Sequence, residues 1–298
     1  MKTHFPVVSV IVVTFNHSLF IREALKSILN QSVYFNVEIL IGDDCSTDET
    51  RDIIFDVIND NQNLFFNFKY FRHKQNVGIS NNALFLLNKA KAKYIAFCDG
   101  DDFWINENKL TLQVDTLEKN KHINIVAGHH IGNQNFDFKN KSNYLTGPDF
   151  FFDRNILLLS MMIRNFHNWP KWLSKVYPFD KFIVLIAANF KPIIVLNENL
   201  VFYRYNCNSI TKKKTNASQT FFKSNDHFFG LKKVEPYFIS TPYKNTYEIT
   251  LIYFKIICSF IGKSYTTKIF IIIKNTPFLI KNFRKLNISK FTYLFFYG

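Results

Sequence analysis

The sequence contains few glycines, and their spacing excludes two common classes of nucleotide-binding protein. Only nine glycines occur among 298 residues, and no two of them are separated by a single residue. The G-x-G-x-x-G turn of dinucleotide-binding folds therefore cannot be written anywhere, and neither can the G-x-x-x-x-G-K-[ST] phosphate loop. We accordingly expect neither a nicotinamide-dependent dehydrogenase nor a P-loop NTPase.

Cysteine and long hydrophobic runs are scarce too. The four cysteines are widely spaced and form no C-x-x-C pair, which favours a reducing compartment over a disulfide framework or a structural zinc site. No uninterrupted apolar run reaches the roughly 18 to 20 residues of a membrane-spanning helix. The N-terminal segment also lacks the basic region and small-residue cleavage site of a secretion signal. These features predict a cytoplasmic protein.

Aromatic residues are abundant, and positive charge is concentrated at one end of the chain. The 35 phenylalanines and 14 tyrosines provide ample material for a globular core. Residues 1–210 contain 22 Lys and Arg against 20 Asp and Glu, whereas residues 211–298 contain 15 against 3. The basic, Phe- and Ile-rich tail therefore predicts attraction to an anionic partner, either a nucleic acid or a lipid surface.

Short apolar segments alternate with helical patterns in the first hundred residues. The predicted strands cover residues 7–14, 37–41, 68–71 and 94–98. The predicted helices between and after them cover residues 18–30, 48–59 and 81–91, the second capped by Ser46 or Thr47. This alternation predicts an α/β layer with a mostly parallel, Rossmann-like sheet and a ligand site at the carboxyl ends of the strands. Further along, helices are expected at 109–120 and 179–190, and a pair of short strands at 193–205.

Acidic residues follow two of the predicted strands. Asp43 and Asp44 come after the second strand, and Asp99, Asp101 and Asp102 after the fourth. Carboxylates two residues apart in an extended segment point to the same side, so Asp99 and Asp101 could face one ligand. Hard oxygen donors suit Mg²⁺ or Mn²⁺ that also holds phosphate oxygens. A solvated acidic turn or a helix cap is the alternative that the pattern leaves open.

Four strings in order, VSVIVVTFNH, EILIGDDCSTDET, NVGISNN and YIAFCDGDDFW, closely resemble the family 2 glycosyltransferases with the GT-A fold. KLTLQVDTLEKN, SMMIRN and residues 177–211 resemble the acceptor half of the bacterial branch that builds surface polysaccharides. The resemblance implies a GT-A domain over residues 1–210, with the nucleotide-sugar half in about 1–108 and the acceptor half in 109–210. Residues 211–298 are then expected to form a basic helical extension.

The resemblance also implies roles for individual residues. Asp101 is expected to bind Mn²⁺ or Mg²⁺, and Asp102 to support its loop. The residues expected around the nucleotide sugar are Thr14, Phe15, Asn16, Asp44, Asn76, Gly78 and Asp99.

Family 2 enzymes invert configuration, so one base must remove the proton of the acceptor hydroxyl. Asp180 matches the acidic residue at the start of the acceptor-half helix in this branch, and it is the predicted catalytic base. A carboxylate that merely stabilises the helix N-terminus is the alternative, and Asp149 and Asp153 are weaker candidates. Asn206 stands where relatives usually carry a histidine, which would weaken metal binding unless Arg204 or a tail lysine supplies the missing interaction.

The resemblance thus implies a hexosyltransferase that moves a sugar from a nucleotide diphosphate sugar, expected to be UDP-linked, to a glycan hydroxyl. The expected acceptor is a lipid-linked, lipopolysaccharide or capsule glycan. The basic tail would hold the enzyme on the inner face of the bacterial plasma membrane, with no nucleic acid as partner. Two alternatives stay open: a protein that binds nucleic acid through the tail, and a catalytically silent GT-A scaffold.

Overall fold

The structure is a computed structural model that describes residues 5–132, 144–145, 156–176, 179–204, 230 and 232–234. The chain divides into two compact units. The first, here the main unit, comprises Met1–Ser174 and Ile183–Asn206, and the second comprises Lys175–Phe182 and Cys207–Gly298. Beyond residue 211 only residues 230 and 232–234 are described, so the expected helices of this region lie almost entirely outside the described residues.

The front of the main unit is a parallel sheet layered with helices, as the alternating sequence pattern predicts. Its strands are β1 (Val8–Thr14), β2 (Val37–Asp43), β3 (Phe66–Arg72) and β4 (Tyr94–Phe97), in the spatial order β3-β2-β1-β4. The helices are α1 (Ile21–Leu29), α2 (Thr50–Asp60) and α3 (Ile79–Lys89). Every residue of β1 and β2 is buried, because helices cover both faces of a parallel sheet. The predicted α/β fold class is confirmed.

Within the described residues, the same sheet continues through five further strands. They are β5 (Phe103–Trp104), β6 (Ile125–Gly132), β7 (Tyr144–Leu145), β8 (Met162–Arg164) and β9 (Ile193–Tyr203). Of these, β5, β7 and β8 are only two or three residues long. β8 pairs antiparallel with both β4 and β6, and so joins the two halves of the sheet. The helix of this half is α4 (Lys109–Lys119), and α5 (Phe179–Ala188) is divided between the two units. No helix in the described part of the chain is long and apolar enough to cross a bilayer.

The expectation of two short strands over 193–205 is wrong, because β9 is one continuous strand of 11 residues. The polar residues Asn197, Glu198 and Asn199 suggest a turn, yet they are exposed residues within the strand. Ala127 pairs with Val195, but His129 pairs with Asn199, so β9 has two extra residues at this point. A bulge absorbs the polar residues that a turn was expected to hold.

One buried carboxylate ties β1, β2 and β3 together. Glu38 is 2% exposed, and its Oε1 accepts hydrogen bonds from the hydroxyl of Ser9 at 2.5 Å and the amide of Lys91 at 2.7 Å. Its Oε2 accepts a hydrogen bond from the ammonium group of Lys69 at 2.6 Å. Burial alone would raise the pKa of Glu38, but these hydrogen bonds outweigh burial and lower it. Glu38 is therefore charged and structural.

Candidate active site

The carboxyl ends of β1, β2 and β4 place three loops side by side. The amide of Asp44 donates to the carbonyl of Thr14 at 2.9 Å, and the amide of Gly100 donates to the carbonyl of Val13 at 2.9 Å. The loop after β1 is thereby fixed between the loop after β2 and the loop after β4. This edge of the sheet is the one at which the sequence predicts a ligand site.

The β1 loop carries three of the residues expected to contact the nucleotide. Thr14 is 3% exposed, whereas Phe15 is 41% exposed and therefore available to a ligand. Asn16 has a left-handed φ of 55°, and its amide donates to the hydroxyl of Ser46 at 2.9 Å. The side-chain oxygen of Asn16 accepts a hydrogen bond from the amide of Thr47 at 2.8 Å. The β1 and β2 loops are therefore locked together.

The expected capping of α2 by Ser46 or Thr47 is wrong. Both residues are bonded to the β1 loop instead. The residue before α2 is Glu49, whose side chain makes no capping bond, and Oδ1 of Asp48 accepts hydrogen bonds from the amide of Thr50 at 3.0 Å and from the Thr50 hydroxyl at 2.5 Å. Asn16 is about 30 residues away in the sequence, and it binds the side chains of Ser46 and Thr47, which therefore do not cap α2.

Asp44 holds the loop that precedes α3. Its Oδ1 accepts a hydrogen bond from the amide of Val77 at 2.6 Å, and its Oδ2 accepts one from the amide of Gly78 at 2.9 Å. Gly78 has a φ of 85°, a conformation that glycine adopts without strain. The neighbouring Asn76 is exposed at the same edge. The structure therefore brings together Asp44, Asn76 and Gly78, three of the residues expected in the nucleotide-sugar pocket.

The acidic segment after β4 is a tight turn. The amide of Asp102 donates to the carbonyl of Asp99 at 3.1 Å, which closes a β-turn over residues 99–102. The expectation that Asp99 and Asp101 share one side of an extended segment is therefore wrong, because the segment is not extended. Both side chains are half-buried at the site edge, and Gly100 between them is buried against the β1 loop.

Asp102 and Arg204 brace this turn from behind. Asp102 is 2% exposed, and its Oδ1 accepts a hydrogen bond from the backbone amide of Arg204 at 2.6 Å. Burial, reinforced by the neighbouring Asp101 and Asp99, raises the pKa of Asp102 to about 9. The burial of Asp102 and its hydrogen bond to the Arg204 backbone suit a supporting role for this carboxyl group.

The guanidinium group of Arg204 is committed to the protein. Its Nε donates to the carbonyl of Asp101 at 2.9 Å, and its Nη2 pairs with Oε2 of Glu23 at 2.5 Å. The guanidinium carbon Cζ lies 4.8 Å from the ring centre of Phe20 and 5.2 Å from that of Phe103, so the cation packs against both rings. These contacts favour a role in positioning Asp101 over direct contact with a diphosphate, which was the expected alternative.

His17 is a polar residue of the site that the sequence alone did not single out. Its Nε2 lies 4.0 Å from Oδ2 of Asp101, and the two side chains are 23% and 24% exposed. Burial lowers the pKa of His17, and the negative charges of Asp101 and Asp48, which act to raise it, only partly offset this effect. Its position directly after the TFN string was the only available signal.

The donor set at this edge fits a divalent cation that is completed by substrate and water. In the part of the chain that the structure describes, no group of three or more His, Cys, Asp and Glu side chains is arranged to hold a metal ion. Mg²⁺ commonly needs only one or two carboxylates, because phosphate oxygens and water occupy its other positions. The half-buried carboxylate of Asp101 meets that requirement, and the hydroxyl of Thr14 is buried nearby with no hydrogen-bond partner among the described residues.

Asp180, the predicted base, lies in the first turn of α5 and is half-buried. It belongs to the second unit, and its catalytic role stays a prediction. The weaker candidates Asp149 and Asp153 lie outside the described residues, as does Asn206.

Comparison with known proteins identifies a family match over more than half of the chain. Residues 9–175 match the family described as glycosyl transferase family 2. An Escherichia coli UDP-Glc:alpha-D-GlcNAc-diphosphoundecaprenol beta-1,3-glucosyltransferase is 39% identical over 114 residues, which are 38% of this chain and 42% of the relative. The chain spans 64% of the length of uncharacterised mycobacterial relatives that are 26% identical over 230 residues, 74% of this chain.

Two solved structures have a similar fold. Staphylococcus aureus TarS 1–349 in complex with UDP-GlcNAc aligns with a TM-score of 0.63 and 18% identity, over 83% of this chain and 71% of that one. A mannosyltransferase from Pyrobaculum calidifontis in complex with GDP-Man and Mn²⁺ aligns with a TM-score of 0.59 and 16% identity, over 98% and 86%. These similarities confirm the predicted GT-A fold.

Proposed function

Because the chain belongs to glycosyl transferase family 2, we propose that it is an inverting glycosyltransferase. It would transfer a sugar from a nucleotide diphosphate sugar to a hydroxyl group of a glycan. The observation that carries this proposal is the junction of three loops at the carboxyl ends of β1, β2 and β4. That junction combines an exposed aromatic ring, Phe15, with the Asp44-bound loop and the half-buried Asp101.

We propose a UDP-sugar as the donor. The E. coli relative is named for a UDP-glucose donor, and the TarS structure contains UDP-GlcNAc. In this chain Thr14, Phe15, Asn16 and Asp44 would surround the base and ribose, and Asp99 would contact the ribose. Asn76 and Gly78 would line the sugar side of the pocket.

Catalysis requires a base for the acceptor and compensation for the charge of the leaving diphosphate. Asp180 would accept the proton of the acceptor hydroxyl while that oxygen attacks C1 of the donor sugar from the face opposite the diphosphate. The bond from C1 to the diphosphate oxygen then breaks, and UDP leaves with the bonding electrons. Asp101 would hold the divalent cation, which when bound neutralises charge on the diphosphate. Arg204 and Asp102 keep the turn that carries Asp101 in place.

We propose a lipid-linked glycan as the acceptor and the inner face of the bacterial plasma membrane as the location. The E. coli relative is named for a diphosphoundecaprenol-linked acceptor. The 15 Lys and Arg residues in 211–298 would support such a location, because each basic residue near an anionic leaflet contributes about 1 kcal/mol. Vesicle sedimentation tests this point: the protein should bind anionic vesicles, and binding should weaken as salt increases. Equal binding to neutral vesicles would contradict it.

Titration calorimetry with UDP and Mn²⁺ tests the enzymatic proposal. We expect metal-dependent UDP binding that Asp101→Ala removes, whereas Asp180→Asn should retain binding and lose sugar transfer. Asp56→Asn, a carboxylate on the exposed face of α2 paired with Arg22, is a control that should change neither property. UDP binding without transfer to any acceptor would favour the silent scaffold. Binding of single-stranded nucleic acid in place of UDP would favour the nucleic-acid alternative.

A further inference from the structure

The imidazole of His17 lies close to Asp101, at a distance that a single metal ion can bridge. The 4.0 Å between His17 Nε2 and Asp101 Oδ2 is too long for a hydrogen bond. Two metal–ligand bonds of about 2.1 Å each place their ligand atoms about 3.0 Å apart at a right angle and about 4.2 Å apart in line, so one ion can bridge 4.0 Å only at a wide angle between its two ligands. We propose that His17 Nε2 and Asp101 Oδ2 bind the same divalent cation, an inference that rests on the proposed glycosyltransferase function and extends it.

The backbone on both sides of His17 is fixed, so its imidazole is presented in a defined place. The His17 amide donates to the hydroxyl of Thr50 at 2.8 Å, and that hydroxyl is itself bonded to Asp48. The His17 carbonyl accepts hydrogen bonds from the amides of Phe20 and Ile21, each at 2.9 Å, where α1 begins. A ligand anchored in this way needs little reorganisation to bind an ion. Its partial exposure leaves a path for the ion to enter.

The other ring nitrogen also has a place in this arrangement. A metal-bound histidine carries a proton on its second nitrogen and usually donates it to an acceptor. His17 Nδ1 and Thr14 Oγ1 are both buried and have no hydrogen-bond partner among the described residues. They lie 2.7 and 2.8 Å from the point that a Cβ atom on Gly100 would occupy. The two atoms border the same turn without bonding each other, so a side-chain movement would be needed for Nδ1 to donate to the Thr14 hydroxyl once the ion is bound.

A nitrogen ligand has a consequence for metal choice. Imidazole favours Mn²⁺ over Mg²⁺ more strongly than a carboxylate does, because Mg²⁺ prefers oxygen ligands. Loss of the imidazole should therefore weaken Mn²⁺ binding more than Mg²⁺ binding. An all-oxygen site would lose both to a similar degree.

Pulsed electron paramagnetic resonance of the full chain with Mn²⁺ and UDP tests the inference directly. Coupling of Mn²⁺ to a ¹⁴N nucleus should be present in the wild type and replaced by ¹⁵N coupling when histidine alone is isotopically labelled. His17→Gln should remove the coupling and weaken Mn²⁺ affinity by about tenfold or more. His122→Gln, which changes an exposed histidine after α4, is the matched control and should retain both.

The outcomes separate this inference from the proposed function. Wild-type protein that binds Mn²⁺ and UDP without histidine coupling would overturn His17 ligation and leave the glycosyltransferase proposal standing. Wild-type protein that shows no metal-dependent UDP binding would overturn both. The isotope measurement uses only the wild-type chain, so the absence of histidine coupling overturns the inference even if His17→Gln fails to fold.

Discussion

A methyl group at Gly100 would test how closely the turn over residues 99–102 packs on the β1 loop. A Cβ atom there would lie 2.7 Å from His17 Nδ1, 2.8 Å from Thr14 Oγ1 and 2.9 Å from Thr14 Cβ. Ordinary contacts between such atoms are about 3.5 Å or longer, so the turn would have to move by roughly half an ångström or more. Overpacking of this kind costs about 1 to 3 kcal/mol of unfolding free energy.

The same displacement should weaken donor binding, because the turn carries Asp101. If the substitution destabilises the UDP-bound state by about 1.4 kcal/mol more than the free state, the affinity for UDP with Mn²⁺ falls tenfold. Urea unfolding measures the loss of stability of Gly100→Ala, and titration calorimetry measures the loss of affinity. We expect both to change together in this variant.

Gly128→Ala is a matched control in β6. A Cβ atom at Gly128 would lie 2.4 Å from Leu200 Cδ1 and 2.5 Å from Leu200 Cγ, so this variant is overpacked to a similar degree. We expect it to lose stability while keeping its affinity for UDP. Wild-type stability in Gly100→Ala would refute the close packing of the turn. An equal loss of affinity in both variants would show that general destabilisation, not the position of Asp101, weakens binding.

The front half of the fold is predictable from the sequence because each of its elements has a strong local signal. β1 was expected at 7–14 and is Val8–Thr14, and β2 was expected at 37–41 and continues to Asp43. Both strands are apolar throughout, since both of their faces are covered, and amphipathic helices separate them. The parallel order follows from these connections, because a helical crossover returns the chain to the same edge of the sheet.

The second half is less predictable because its strands depend on partners far away in the sequence. β8 has only three residues, too few to show a period, and antiparallel pairing with β4 and β6 defines it. β9 contains a polar stretch that resembles a turn, and only pairing with its neighbours keeps it extended. Local propensity cannot indicate either outcome.

The candidate site shows the same division. The aspartates after β2 and β4 could be recognised because acidic residues at strand ends are a strong local pattern. The supporting role of Asp102 was implied by the family resemblance. The roles of Arg204 and His17 could not be recognised, since each depends on contacts between loops that are distant in the sequence. Arg204, with a tail lysine, was one of two candidates for the interaction lost with the missing histidine; in the structure it binds the carbonyl of Asp101, 103 residues away in the sequence.

Two further substitutions test the supports of the site. Glu38→Gln should cost about 2 kcal/mol at pH 7, because it weakens charge-assisted hydrogen bonds. The lowered pKa of Glu38 means that this stability is present above the unfolded pKa near 4.5 and is lost as pH falls through the folded pKa, so wild type and variant should converge in acid. Urea unfolding at pH 7 and at a pH below the folded pKa of Glu38 measures the free energy of unfolding of wild type and variant, with the exposed Glu107→Gln as control. A difference between wild type and Glu38→Gln that does not change with pH would contradict the prediction. Arg204→Met should weaken binding of Mn²⁺ alone as well as of UDP with Mn²⁺, because the Arg204 guanidinium holds the backbone of Asp101. Glu23→Gln removes only a partly exposed ion pair, worth at most about 1 kcal/mol, and should leave both affinities close to wild type. If Arg204→Met lowered UDP affinity but left Mn²⁺ affinity intact, the side chain would be a diphosphate ligand, and the positioning role would be refuted.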